Sequence, residues 1–131
     1  MNEQRNPYQG RPLRPWLSLD FIDENGEFVP LKLIADTGSP HAIVLQESIF
    51  ERLVIRYTRR IKTNFGKMRG GWIRLSSRAL GLVELVEAFG SDDMARMAMR
   101  SHLDFVGVVG LQILRRGEYG GDHDSFWIRT P

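Results

Sequence analysis

The segment LKLIADTGSP, Leu31 to Pro40, sets a carboxylate, hydroxyls and a glycine directly after an apolar run. A carboxylate held in place can work as a general acid or base. Gly38 permits close backbone approach to Asp36, and Thr37 and Ser39 add hydroxyls able to hydrogen-bond around it. The same residue types are ordinary turn formers, and a β-turn closing a strand is the plain reading of DTGS. At the level of this segment both readings stand.

Other residues compete for a chemical role. His41 follows Asp36 closely, but a Ser-His-Asp arrangement needs a nucleophile for which nothing else in the chain speaks, so His41 reads as a loop or core-edge histidine. GGDHDSF places His123 between Asp122 and Asp124. Adjacent residues on a glycine-rich segment rarely converge on one ion, so a solvated loop is expected there and no metal. RYTRRIK, Arg56 to Lys62, reads as a soluble strand face rather than a phosphate-binding strip. Met94, Met97 and Met99 read as core filling. Trp127 and Trp72 suit either packing or contact with a partner, with Trp72 the stronger functional candidate beside Gly70 and Gly71. The chain has no Cys, which excludes disulfides, thiolate metal sites and a cysteine nucleophile.

Positioning any of these groups takes a core. With 131 residues, 42% of them hydrophobic, the chain suits one compact domain that buries roughly two thirds of its unfolded surface. A formal net charge of only +2 makes the sequence pI of about 9.3 a weak argument for nucleic acid, and no nucleic-acid partner is expected. The opening MNEQRNPYQGRPLRPW is polar and proline-rich without the apolar stretch of a signal peptide, and no later run approaches the ~20 apolar residues of a membrane span. A soluble cytoplasmic protein is the expectation, with no membrane partner.

Residues 1–14, rich in Pro, Gly and Arg, read as a flexible arm preceding a domain over residues 15–131. WLSLDFI alternates apolar and polar positions, DENGE supplies turn residues and FVPLKLIA resumes the strand pattern, which predicts a β-hairpin. HAIVLQESIFERLVI suggests a strand running into a short helix. YTRRIKTNFGKMRGGWIRLSS predicts a long hairpin with a glycine-rich tip, and GLVELVEAF a following strand. In GSDDMARMAMRSHL a helix start at Ser91 competes with a period-two pattern through Ala95, Met97 and Met99. FVGVVG reads as a fully buried strand, LQILRRG as a helical turn or two stopped by Gly117, and SFWIRTP as a terminal strand.

Taken in order, LIADTGS, KMRGGWIRL (Lys67 to Leu75), VGVVGLQIL (Val106 to Leu114) and FWIRT resemble the retropepsin-like aspartic proteases, the single-domain dimeric relatives of the pepsin-type enzymes. The resemblance covers roughly residues 15 to 130 and implies an all-β fold: a closed β-barrel with a flap hairpin and one short C-terminal helix. It also implies a strand over residues 94–101. Position by position it makes Asp36 the catalytic carboxylate and Thr37 a hydroxyl bonding across a two-fold axis. Gly38 allows the close approach, and Ser39 bonds the outer oxygen of Asp36. Val108 and Val109 pack beneath the loop, with Gly110 at a close crossing. Met68, Gly70, Gly71 and Trp72 belong to the flap over an extended peptide, with Gly70 and Gly71 at its tip. Leu111 and Gln112 follow Gly110 where retroviral members commonly carry Arg and then Asn or Asp, so no intersubunit ion pair of that kind is expected.

One chain supplies one such Asp, so the resemblance implies a homodimer in which two copies of Asp36 share a water. No cofactor is implied. At ~3 Å separation and an effective dielectric of ~20, two ionised carboxylates would repel by about 5.5 kcal/mol, about four pKa units, so the pair should share one proton. An endopeptidase acting on an extended polypeptide is the leading expectation. The alternative is a catalytically silent relative kept for dimerisation or peptide binding. A phosphate-gripping DTGS of the sugar-kinase or actin-like kind would need two domains and further motifs, for which this chain is too short.

Overall fold

A computed structural model describes residues 1–63, 66–94, 96 and 104–131. Strand β2 (Trp16–Ile22) alternates strictly, burying Leu17, Leu19 and Phe21. It pairs antiparallel with β3 (Phe28–Asp36) along its whole length, as the hairpin reading predicts. The Asp23 carboxylate closes the turn between them, accepting the backbone N–H of Asn25 at 2.9 Å and of Glu27 at 3.0 Å. Gly26 supplies the left-handed residue at φ 76°.

The chain then forms β4 (Ile43–Leu45), helix α1 (Glu47–Leu53), β5 (Arg56–Thr63), β6 (Gly66–Ser77), β7 (Leu82–Gly90), β8 (Gly107–Gly110), helix α2 (Leu111–Leu114), β9 (Glu118–Gly121) and β10 (Ser125–Thr130). The large sheet runs β2-β3-β8-β4-β7-β6-β5, and a second pairing of β6 with β2 closes six of these strands into a barrel, leaving β5 as an outer edge. Closure explains why apolar residues alternate along nearly every barrel strand: one face of each fills the interior. The all-β closed barrel that the resemblance implies is the observed architecture. Helix α1 lays Phe50 and Leu53 on the barrel core.

β8 departs from alternation. All four of its residues are buried: it runs parallel to β3 on one side and antiparallel to β4 on the other, and an apolar cluster covers each face. Val109 joins the barrel core with Leu17, Phe21 and Ile73, and Val108 joins a second cluster with Ile34, Val44, Met68, Phe89 and Phe105.

Two expectations are corrected. Residues 1–14 do not form a free arm: β1 (Asn2–Pro7) pairs antiparallel with β10 in full register, and β9 completes a three-stranded sheet. The arm also docks on β2 through polar side chains. The Gln4 amide donates to the Ser18 carbonyl at 2.9 Å and its oxygen accepts the Ser18 N–H at 2.7 Å, while Asn6 Nδ2 donates to the Trp16 carbonyl at 3.0 Å. A scan for apolar periodicity cannot see such a polar seam. The second correction concerns the strand expected over 94–101. Residues 92–94 and 96 are helical, following the helix start at Ser91, and the remainder of that stretch lies outside the described residues. Among the described residues no helix is long and apolar enough to cross a membrane.

The Gln4 seam makes a prediction. Gln4→Ala removes a side chain that satisfies both polar backbone groups of Ser18, and should lower unfolding stability by about 1 kcal/mol in a urea titration with unchanged slope.

Candidate active site

Asp36 is the last residue of β3 and lies abreast of Gly110 in the parallel strand β8. Two residues after Ile34, it shares that residue's face of the sheet, the face of the second cluster. The carboxylate is half-buried, and Thr37 and Gly38 beyond it are exposed. The Gly38 N–H donates to Asp36 Oδ1 at 2.9 Å and the Ser39 N–H to the Asp36 carbonyl at 3.1 Å. A Cβ on Gly38 would stand 3.2 Å from that same Oδ1, so glycine leaves the carboxylate room to take the bond.

The loop after Asp36 is clamped at three points. The N–H of Leu111 donates to the Ser39 carbonyl at 3.1 Å and the N–H of Gly110 to the Ala42 carbonyl at 2.9 Å. From the first turn of α2, Gln112 Nε2 reaches back to the Pro40 carbonyl at 2.8 Å. The crossing is too close for any side chain at 110, where a Cβ would meet the carbonyl oxygens of His41 at 1.9 Å and Ser39 at 2.7 Å. Gly107 plays the same part at the other end of β8, where a Cβ would fall 2.1 Å from the Val44 carbonyl oxygen. Asp36 is therefore aimed by backbone contacts, while Val108 and Val109 point to opposite faces of β8, into the second cluster and the barrel core.

A second group ties this loop to the β5–β6 hairpin. The His41 ring lies tilted on Phe89 with centroids 4.7 Å apart, and the Arg59 guanidinium stands 5.7 Å from the Phe89 centroid. Arg59 also pairs with Glu87 at 3.0 Å, and Thr58 Oγ1 donates to Glu87 at 2.6 Å. Burial alone would raise the Glu87 pKa, but the Thr58 hydroxyl and the Arg59 guanidinium outweigh it and hold the carboxyl below its ordinary value. Burial first, and then the Arg59 charge, depress His41, against a weaker opposing pull from Glu87.

The expected site residues divide. Asp36, Thr37, Gly38, Val108, Val109 and Gly110 come together at one end of β3 and β8. Ser39 is buried and anchors the loop through its backbone, but its hydroxyl makes no bond to the Asp36 carboxylate. The flap assignment also shifts. Gly70 and Gly71 are interior residues of β6, not its tip, and the strands part instead at Thr63 and Gly66, where Gly66 has φ 82°. Both inner glycines are required by packing: a Cβ at Gly70 would meet Phe89 and Thr58 at 2.7 Å, and one at Gly71 would meet Val54 at 2.4 Å. Met68 is buried in the second cluster, and Trp72 is exposed opposite Arg56 and Glu87. Sequence reasoning placed the glycines by type, whereas hairpin register put the turn earlier. It missed Gln112 and the group of Thr58, Arg59, Glu87 and Phe89, whose residues meet only in three dimensions. No protein-family model, no curated protein and no solved structure matches the chain.

Two outcomes test this geometry. Gly110→Ala forces a methyl against backbone oxygens that cannot rotate away, and should cost about 3 kcal/mol, the upper end for overpacking, in denaturant unfolding. For His41, whose folded pKa lies below the unfolded value of about 6.5, the unfolded chain takes up the proton first. Its contribution is complete above that pH and declines as pH falls toward the folded value. Thermal unfolding should accordingly lose more stability from pH 7 to pH 5 in the wild type than in His41→Gln.

Proposed function

We propose that the protein is an aspartic endopeptidase, a retropepsin-like enzyme that assembles its catalytic dyad from the Asp36 carboxylates of two identical chains. The observation that carries this reading is the arrangement at the ends of β3 and β8: a half-buried carboxylate opposite a glycine, held by a backbone N–H at 2.9 Å, with the exposed Thr37–Gly38 segment beside it. An exposed loop next to an otherwise well-anchored carboxylate suits a second copy of itself across a two-fold axis.

In such a pair one proton is shared. The ionised carboxylate takes a proton from the bound water as the oxygen attacks the scissile carbonyl, and the protonated one donates to the carbonyl oxygen. Collapse of the tetrahedral intermediate returns a proton to the leaving amine and frees a new carboxyl terminus. The Gly38 N–H steadies the carboxylate without consuming a catalytic proton. The β5–β6 hairpin is the element suited to cover an extended substrate, with its strands parting at Thr63 and Gly66 and its base tied to the Asp36 loop through Arg59, Phe89 and His41.

Asp36→Asn keeps the shape of the side chain and removes the acid–base group. Peptide cleavage, followed by mass spectrometry across acid to neutral pH, should fall by at least about 10³-fold while the thermal midpoint stays close to wild type. Specific activity should rise with enzyme concentration up to the dimer dissociation constant. Equal cleavage by the two proteins rules out the dyad.

A further inference from the structure

The β5–β6 hairpin breaks a rule of strand pairing. Arg60 lies directly opposite Arg69, and Lys62 directly opposite Lys67, and like charges in these positions repel. Because side chains alternate along a strand, these four cations share one face of the hairpin, while Ile61 and Met68, also directly opposite one another, share the other. The Ile61–Met68 face packs into the second cluster, which fixes the cationic face in its orientation.

The chain does little to neutralise that face. No Asp or Glu occurs from Arg56 to Ser77, and among the described residues no carboxylate pairs with Arg60, Lys62 or Lys67. The Arg69 guanidinium lies 4.1 Å over the Tyr57 ring. A groove of about 510 Å³ runs along the hairpin, lined by all four cations with Ile61, Met68 and one carboxylate, Glu47. Burial, then the neighbouring Asp92 and Glu51, raise the Glu47 pKa against a weaker opposing pull from the Arg69 charge. Charges on an edge strand protect it from pairing with other chains. That accounts for β5 and for Lys67, which lies beyond the last β6–β7 pair, and leaves Arg69, paired with Gly90 of β7 on its other side, unexplained. Local violations of this kind collect where a ligand compensates them.

We propose that this face binds the acidic flank of an extended polypeptide, so that the substrates are sequences carrying Asp or Glu at alternate positions beside the cleaved bond; this rests on the endopeptidase reading. Arg60 and Lys62 stand one strand repeat apart, ~7 Å, which matches carboxylates two residues apart in an extended chain. Among the described residues β5 is the outer strand of its sheet, the kind of edge to which an extended chain adds through backbone bonds. A nucleic acid suits the face less well: among the described residues the ring beside these cations, Tyr57, is already covered by Arg69.

The test uses two peptides that differ only in flank, one with alternating Glu and one with Gln in its place. For binding, fluorescein-labelled peptides are titrated into the Asp36→Asn protein and followed by anisotropy. The Glu peptide should bind about tenfold more tightly, the combined effect of two or three exposed ion pairs. That preference should vanish in 1 M salt, where the screening length is ~3 Å, and in Lys62→Gln/Lys67→Gln. Removing a like-charge pair should leave the thermal midpoint of that variant at or above wild type. For cleavage, the wild-type kcat/KM ratio of Glu to Gln peptide should likewise be about tenfold and fall toward one in the lysine variant. Equal binding of the two peptides, or tighter binding of a single-stranded oligonucleotide than of the Glu peptide, overturns the inference. Equal cleavage of both peptides overturns it while leaving the endopeptidase reading intact. Selective binding of the Glu peptide with no cleavage of either preserves the acidic-peptide face and removes the protease.

Discussion

At Gly107 and Gly110 the backbones of β8, of β4 and of the loop before β4 meet with no room for a side-chain carbon between them, and the rest of the molecule is arranged around that contact. Strand β8, between parallel β3 and antiparallel β4, buries both of its faces. β8 does so by sending Val109 into the barrel and Val108 into the second cluster. The two apolar cores are thus joined through one short strand. Asp36 occupies the point where β3 leaves this strand, so the position of the carboxylate depends on packing that extends through the whole barrel.

The loop carrying Asp36 owes its shape to backbone bonds more than to side chains. Ser39 and Ala42 offer carbonyls that β8 and α2 take up through the N–H groups of Leu111 and Gly110, and Gln112 adds the side-chain clamp on Pro40. Such a loop resists distortion because each of its bonds is shielded or paired, and the exposed part is confined to Thr37 and Gly38. From the other side, His41, Phe89, Arg59 and Glu87 connect it to the β5–β6 hairpin. The hairpin and the loop are thus joined through a ring contact, a cation over that ring and an ion pair.

Polar groups do structural work at the termini too. β1 holds β10 by backbone pairing and holds β2 through Gln4 and Asn6, whose amides satisfy backbone groups of Ser18 and Trp16. The indole N–H of Trp16 returns a bond to the Pro7 carbonyl at 2.7 Å. The three-stranded sheet is thereby joined to the barrel by polar bonds as well as by Phe126 and Ile128 of β10, which enter the barrel's core cluster, and its outer edges are β1 and β9.

By itself the sequence determined the elements whose signals are local. Alternation in Trp16 to Ile22, a turn, and the strand pattern resumed in Phe28 to Ala35 specified a hairpin, and the apolar run around Val108 and Val109 specified a buried strand. The abrupt change from Leu33-Ile34-Ala35 to Asp36-Thr37-Gly38 marked a carboxylate at a strand end. These follow from the two-residue period of a strand and the turn chemistry of Asp and Gly, which act over a few residues. Tertiary structure decided what depends on register and on distant partners. Gly70 and Gly71 lie within β6 because β5 pairs with it in a register that parts at Thr63 and Gly66, and their missing side chains make room for Phe89 and Val54. The N-terminal residues became a strand because β10 and the backbone of β2 supplied partners more than ten residues away, which no local pattern encodes. The opposed pairs Arg60–Arg69 and Lys62–Lys67 came into being only when the hairpin closed, turning cations scattered along the chain into one charged face.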